Sequence, residues 1–229
     1  MKTIAEKIIA FNKQLHFSES LPGAFSVLNP FRENPETLKV MSTFYHQFYD
    51  DYKERKFIIG INPGRHGAGI TGVPFTDTKR LESACGITMQ SKSSYEPSSV
   101  FIYDMIEAYG GVKNFYATFY INSPFPLAII KNDGNGKHVN ANYYDDKSLF
   151  DAVKPFITKT LRQHVAIGLN TEKAYVLGKK NAIFINAINE KEKLFDELIV
   201  LEHPRFIQQY KSKEKQSYID QYVIALTDR

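Results

Sequence analysis

Three short polar segments interrupt apolar runs: Asn62-Pro63-Gly64, Asn122-Ser123-Pro124 and His203-Pro204. Each joins a side chain with useful chemistry to a residue that stops a regular element. An asparagine amide donates and accepts hydrogen bonds but takes no proton at neutral pH. A histidine donates, accepts or titrates within the physiological range. Gly64 closes the first segment, and glycines 67, 69 and 72 follow it before Phe75. They let backbone approach a ligand closely and adopt conformations closed to other residues. A phosphate-cradling loop would use similar glycines, but no Gly-Lys-Ser/Thr ending follows. Gly67-Ala68-Gly69-Ile70-Thr71-Gly72 matches the dinucleotide string yet runs into Val73-Pro74 rather than a helix. Read singly, each residue also has a structural role open to it. Asn122 suits a turn before Ser-Pro, His203 a helix cap, and Phe75 the core.

These segments need elements that bring them together. Ile4, Ile8, Ile9, Phe11 and Leu15 predict an opening helix, and residues 21–35, with three prolines, a loop. Val40, Phe44, Phe48 and Tyr52 recur every four residues and predict a helix over 36–52. The run 56–61 reads as a buried strand stopping at Asn62, followed by a glycine-rich loop to Phe75. Ser98 is placed to cap a helix ending at Gly110-Gly111, and a strand is expected over 115–122. Residues 131–142 read as an exposed loop. A helix over 146–162, kinked or starting late at Pro155, leads into a strand at 165–168. Thr171 would cap a helix through Leu177, residues 183–185 would be a short strand or extended link, and 198–201 a last strand before a terminal helix.

Alternating strands and helices imply right-handed crossovers and an α/β fold: a three-layer α/β/α sandwich around a mostly parallel sheet. Ligands bind beyond the carboxyl ends of such strands, so the three polar segments should gather at one edge. A single domain over 1–229 is expected, with a helical part at 1–55 and a core at 56–210. The chain has 229 residues, 43% of them hydrophobic, which suffices for a sizeable core. A net charge of +4 permits a nucleic-acid partner without demonstrating one. The single Cys85 excludes an intramolecular disulfide and any cysteine cluster for zinc or iron–sulfur binding, and reads as a small buried hydrophobe. Lys2, Glu6, Lys7 and Lys13 break any signal-peptide run, and no stretch has the length of a membrane span. A soluble, cytoplasmic protein is expected.

Gly60-Ile61-Asn62-Pro63-Gly64, followed by Thr71-Gly72-Val73-Pro74-Phe75, closely resembles motif 1 of the uracil-DNA glycosylase superfamily. The match is best to its single-strand-selective monofunctional branch. Tyr120-Ile121-Asn122-Ser123-Pro124-Phe125-Pro126-Leu127 resembles the strand end that carries the family's base-reading asparagine. Leu201-Glu202-His203-Pro204 is similar to motif 2, although Arg205-Phe206-Ile207 stands where the family continues Ser-Pro into its DNA-penetrating loop. Strand order extends the resemblance from Phe57 to Phe206.

The resemblance implies hydrolysis of the bond between uracil and its sugar in DNA, in base-excision repair, with the base flipped out. Asn62 and His203 would be catalytic, Asn62 holding water and His203 donating to uracil O2. Ile61, Gly64, Phe75 and Asn122 would bind the base, Phe75 by stacking and Asn122 by reading its edge. An amide accepting from N3–H and donating to O4 rejects cytosine, because the wrong base leaves buried polar groups unpaired. Arg65, His66, Pro204 and Arg205 would meet DNA, although Arg65 and His66 could equally be solvated loop residues. Lys211, Lys213 and Lys215 suit phosphates or a solvated helix face. No metal or organic cofactor is implied. No lysine lies within the motifs, so no Schiff-base step is expected. The partner is single- or double-stranded DNA, engaged by a monomer, with unstacking making single strands the easier target. Rival readings are the same fold acting on xanthine or hydroxymethyluracil, a non-catalytic nucleic-acid-binding homologue, and an unrelated nucleotide-binding α/β protein.

Overall fold

The computed structural model describes residues 1–90 and 92–227. The first helix, α1 (Ile4–Gln14), starts at a capping box: Thr3 accepts from the Glu6 N–H, and the Glu6 carboxylate accepts from the Thr3 N–H. Then come β1 (Phe25–Leu28), the one-turn α2 (Pro30–Glu33) and α3 (Pro35–Tyr49). Next are β2 (Arg55–Ile59), the short α4 (Ala68–Thr71), α5 (Thr78–Cys85), α6 (Pro97–Tyr109), α7 (Gly111–Thr118) and β3 (Phe119–Asn122). A hairpin of β4 (Ala128–Asn132) and β5 (His138–Ala141) precedes the long α8 (Lys147–Gly168). The chain continues through β6 (Leu169–Leu177), α9 (Lys179–Glu192), β7 (Glu197–Leu201), α10 (Pro204–Tyr210), a 3₁₀ turn at Ser212–Glu214 and α11 (Lys215–Thr227).

The expected α/β architecture is present, with a parallel sheet of order β3-β2-β6-β7 flanked by helices. A separate antiparallel sheet of order β1-β4-β5 lies beside it. In β2 and β3, Phe57, Ile58, Ile59, Phe119, Tyr120 and Ile121 are all buried, as strands covered on both faces require. Backbone pairing continues past the strand ends. The Gly60 N–H donates to the Asn122 carbonyl at 2.7 Å, and the Gly178 N–H to the Leu201 carbonyl at 2.7 Å. The segments that follow β2, β3 and β7 are thereby fixed at one edge of the sheet. Among the described residues, no helix is long and apolar enough to cross a membrane.

The structure corrects several expected elements. Residues 21–35 hold β1 and α2, because Pro30 and Pro35 occupy first helical turns behind capping Asn29 and Asn34 rather than breaking the chain. The order over 165–177 is reversed. Val165–Ile167 ends α8, where Leu161, His164 and Ile167 share one buried helical face, and Gly168 at φ +117° terminates it. The following residues form β6, whose Ala174–Leu177 run is wholly buried in the sheet. The helix starts at Lys147 and runs on either side of Pro155. Ile185 and Ile188 belong to α9 rather than to a strand. The strand expected over 115–122 is only Phe119–Asn122, and the loop over 131–142 is mostly the exposed hairpin β4–β5. α6 begins at Pro97, with Glu96 in the cap position instead of Ser98.

Candidate active site

A cavity of about 340 Å³ opens at the carboxyl edge of the parallel sheet. Of the residues singled out from sequence, Ile61, Asn62, Gly64, Phe75, His203 and Arg205 line it. Asn122, His66, Pro204 and Arg65 do not: Asn122 and Pro204 are buried beside it, and His66 is exposed.

Asn62 is clamped by the link between β5 and α8. Its Nδ2 donates to the Ala141 carbonyl at 3.0 Å, and its Oδ1 accepts from the Tyr143 N–H at 3.0 Å. A primary amide has two donors and two lone pairs, so one of each remains for a water or substrate. The glycine loop beyond it is shaped by Glu96. A Cβ on Gly67 would lie 1.9 Å from Glu96 Oε2, and one on Gly64 would lie 3.0 Å from Oε1. Phe75 follows α4 with φ +52°, a left-handed conformation that is strained for a bulky residue by about 1–3 kcal/mol. The Thr71 hydroxyl, which donates to the Thr76 carbonyl at 2.6 Å, holds that turn closed. The Phe75 ring rests against Gly60, where a Cβ would come within 2.9 Å of it. Strain of this kind survives where the surroundings over-determine it, which is common at ligand sites.

His203 caps α10. Its Nδ1 accepts from the Arg205 N–H at 3.1 Å, so the proton of the neutral ring sits on Nε2. Burial, and then the nearby Arg205 charge, hold its pKa down to about 4 from 6.5. The ring is therefore a neutral donor at physiological pH, 5.9 Å from the Phe75 ring centre. The tautomer, which sequence cannot give, follows from Pro204 starting a helix at its first turn.

Behind the cavity wall, Asn122 sits in a closed hydrogen-bond ring. Its Nδ2 donates to the Tyr120 hydroxyl at 2.6 Å, and that hydroxyl meets His164 Nδ1 at 3.2 Å. His164 Nε2 lies 3.2 Å from the Ser123 carbonyl, and the Ser123 N–H donates to Asn122 Oδ1 at 2.8 Å. A carbonyl only accepts, so Nε2 carries the proton and Tyr120 donates to Nδ1. Every group in the ring has one assigned direction. Burial holds the His164 pKa down to about 3 despite the bond to Ser123, which keeps the ring neutral. Flipping the Asn122 amide would set donor against donor at Ser123. Ser123 lines the cavity, and its hydroxyl has no hydrogen-bond partner among the described residues.

Glu96, Asn140, Asn142, Tyr144 and the exposed Phe206–Tyr210 pair of α10 also line the cavity, and sequence reasoning did not single them out for the site. No local sequence pattern marks Glu96, which the structure places at the start of α6 with a side chain that makes no cap bond. Arg65 is half-buried beside the rim; its N–H donates to Asn140 Oδ1 at 3.2 Å, and its Nε is buried without a partner among the described residues. His66 is held below 6.5 by burial and by the charges of Arg65 and Lys92. Among the described residues, no three His, Cys, Asp or Glu side chains converge as a metal cluster.

The carboxyl edge of the parallel sheet thus brings an anchored asparagine, a strained phenylalanine and a neutral histidine around one cavity. The chain belongs to the uracil DNA glycosylase superfamily, whose family model matches residues 46–227. It is a DNA glycosylase by that membership. Across 98% of its length it is 48% identical to the protein in the crystal structure of wild-type Pedobacter heparinus SMUG2, with 97% of that chain covered and a TM-score of 0.96. A comparison with curated proteins finds no match.

Proposed function

We propose that this chain is a monofunctional glycosylase that hydrolyses the N-glycosidic bond of uracil in DNA, in base-excision repair, with tolerance for related deaminated or oxidised bases. The observation that carries the reading is His203, whose Nδ1 is occupied by the Arg205 N–H and whose Nε2–H is left for the cavity. In this reading the flipped base stacks on Phe75. As the bond to C1′ breaks, negative charge collects on the base, and a fixed donor aimed at that charge is worth about 10²–10³ in rate. Asn62 offers its free lone pair to a water on the sugar side, and the water captures the cationic sugar. Asn122 reads the base edge with the second hydrogen and second lone pair that the ring leaves it, beside Ser123. Arg205 at the rim, with Arg65 and His66 on the adjoining loop and Pro204 starting α10, meets the DNA.

The test is base release from oligonucleotides carrying uracil, xanthine, hypoxanthine or hydroxymethyluracil, single- and double-stranded, followed by alkaline cleavage of abasic sites. Uracil release at full rate in EDTA is expected. Release of another base with uracil untouched would reassign the substrate, and a chelator-sensitive activity restored by a divalent metal would refute the cofactor-free chemistry.

A further inference from the structure

Hydrolysis at this site must dispose of a proton. Water adds its oxygen to C1′, the C1′–N bond breaks with its electron pair leaving on the base, and one water proton has to go elsewhere. Asn62 cannot accept it, because an amide has no usable basicity at neutral pH. His203 Nε2 already carries a proton, and its Nδ1 is occupied by the Arg205 N–H. Among the described residues lining the cavity, Glu96 is the one carboxylate.

Its placement fits that duty. Glu96 stands at the start of α6 with its oxygens against Gly64 and Gly67, the loop that leaves Asn62. Gly64 lies two residues beyond Asn62, and Asn62 and Glu96 line the same cavity. The carboxylate is also poorly satisfied. Its best donor is the Ser99 hydroxyl, 3.4 Å from Oε2, and Oε1 has no partner among the described residues. The strong bond at this residue is made by its backbone, whose N–H donates to Asp77 Oδ2 at 2.8 Å. A carboxylate partly sheltered from water with weak donors is a better proton acceptor than a fully solvated one.

We propose that Glu96, in its ionised form, takes the proton of the water held by Asn62 and faces the positive charge of the sugar. This rests on the glycosylase reading above. The proton then passes to the released base or to solvent, which restores the carboxylate. Burial and the charge of Asp77 raise the Glu96 pKa from 4.5 to about 7, against the smaller opposing effects of Ser99 and Arg205. The charged groups acting on it are Asp77, paired with Arg80 at 3.2 Å, and Arg205, and the cavity's His203 is held down to about 4. The chemical step should therefore gain rate as pH rises through about 7.

The experiment is single-turnover uracil release from a single-stranded oligonucleotide between pH 5.5 and 8.5, for wild type, Glu96→Gln and Glu96→Asp. Melting temperature and DNA affinity are measured alongside. The expected result is a wild-type rate that rises about tenfold or more and levels above the transition. Glu96→Gln should lose that rise and sit at least tenfold below the plateau while binding DNA normally, and Glu96→Asp should keep the rise at a lower plateau. A flat wild-type profile, or Glu96→Gln within a few-fold of wild type, overturns the proposal and leaves the glycosylase reading standing. Equal losses in both variants with the wild-type pH dependence retained overturn it too, because the carboxylate would then only shape the glycine loop. A wild type that releases no base from any oligonucleotide overturns both.

Discussion

The ring behind the cavity makes Tyr120→Phe an informative perturbation. The Tyr120 side chain stacks on Phe57, with ring centres 5.5 Å apart and planes 20° from parallel, so phenylalanine should keep its place and lose only the hydroxyl. That hydroxyl accepts from Asn122 and donates to His164, and all three residues are buried. Removing it leaves two buried polar atoms unpaired, at about 1–3 kcal/mol each, offset in part by the desolvation of the lost phenol. A net destabilisation of about 2–4 kcal/mol follows, or about 4–16 °C in melting temperature for a chain of this size. Selectivity should suffer separately. In wild type the wrong amide orientation loses two bonds, at Tyr120 and Ser123; in the variant it loses one. The barrier to misreading falls by about 1–3 kcal/mol, so discrimination between uracil and cytosine should drop about 5- to 150-fold. The assay compares single-turnover cleavage of the two bases in matched oligonucleotides, with chemical denaturation of the same protein. Unchanged discrimination in a destabilised variant would show the ring to be structural only. Unchanged stability would show that its hydrogen bonds are wrongly assigned.

Stability should also depend on pH. His164 and His203 titrate in the fold at about 3 and about 4, against 6.5 unfolded, so below pH 6.5 the unfolded chain binds more protons and stability falls as pH falls. Each contributes about 1.4 kcal/mol per pH unit in its window. Glu96, raised from 4.5 to about 7, works in the opposite sense between those values, reduced by its partial exposure. The two histidines outweigh it, so unfolding free energy should fall by about 1 kcal/mol or more per unit from pH 6.5 to 4.5 and level off as the folded rings protonate between about pH 4 and 3; a flat profile in urea titrations contradicts this. Phe75→Ala should weaken binding of uracil-containing DNA by about 1–3 kcal/mol, through lost stacking, measured by fluorescence anisotropy; an unchanged Kd would place the base elsewhere. If Arg65 and Arg205 contact two phosphates of a single strand, affinity should drop about sevenfold from 50 to 200 mM salt, and a salt-independent Kd would remove them from the interface.

The sequence made the chemistry of this edge legible more readily than its walls. Asn62-Pro63-Gly64 and His203-Pro204 could be placed at strand ends because an apolar run precedes each and a helix breaker or starter follows. The reversal over 165–177 has a physical source: Val165, Ile167 and their neighbours are apolar for a helical face, and single-sequence patterning does not distinguish that from a short buried strand. Glu96 illustrates the other limit. Its role depends on how the Gly64–Gly67 loop packs over the start of α6, a contact between segments that no local pattern encodes. The Asn122 ring likewise joins β3 to His164 on α8, 41 residues beyond the carbonyl it binds.

Single-turnover kinetics of His203→Ala and Asn62→Ala test most directly whether the glycosidic bond breaks in this cavity. Both residues sit on turns at strand ends, so both variants should fold. The measurement is the rate of uracil release from single-stranded DNA with enzyme in excess, with binding determined separately. His203→Ala is expected to slow the chemical step by about 10²–10³ at near-normal affinity, and Asn62→Ala by at least a comparable factor. If each variant keeps the chemical step within a few-fold of wild type, the chemistry takes place elsewhere and the assignment of this site is wrong.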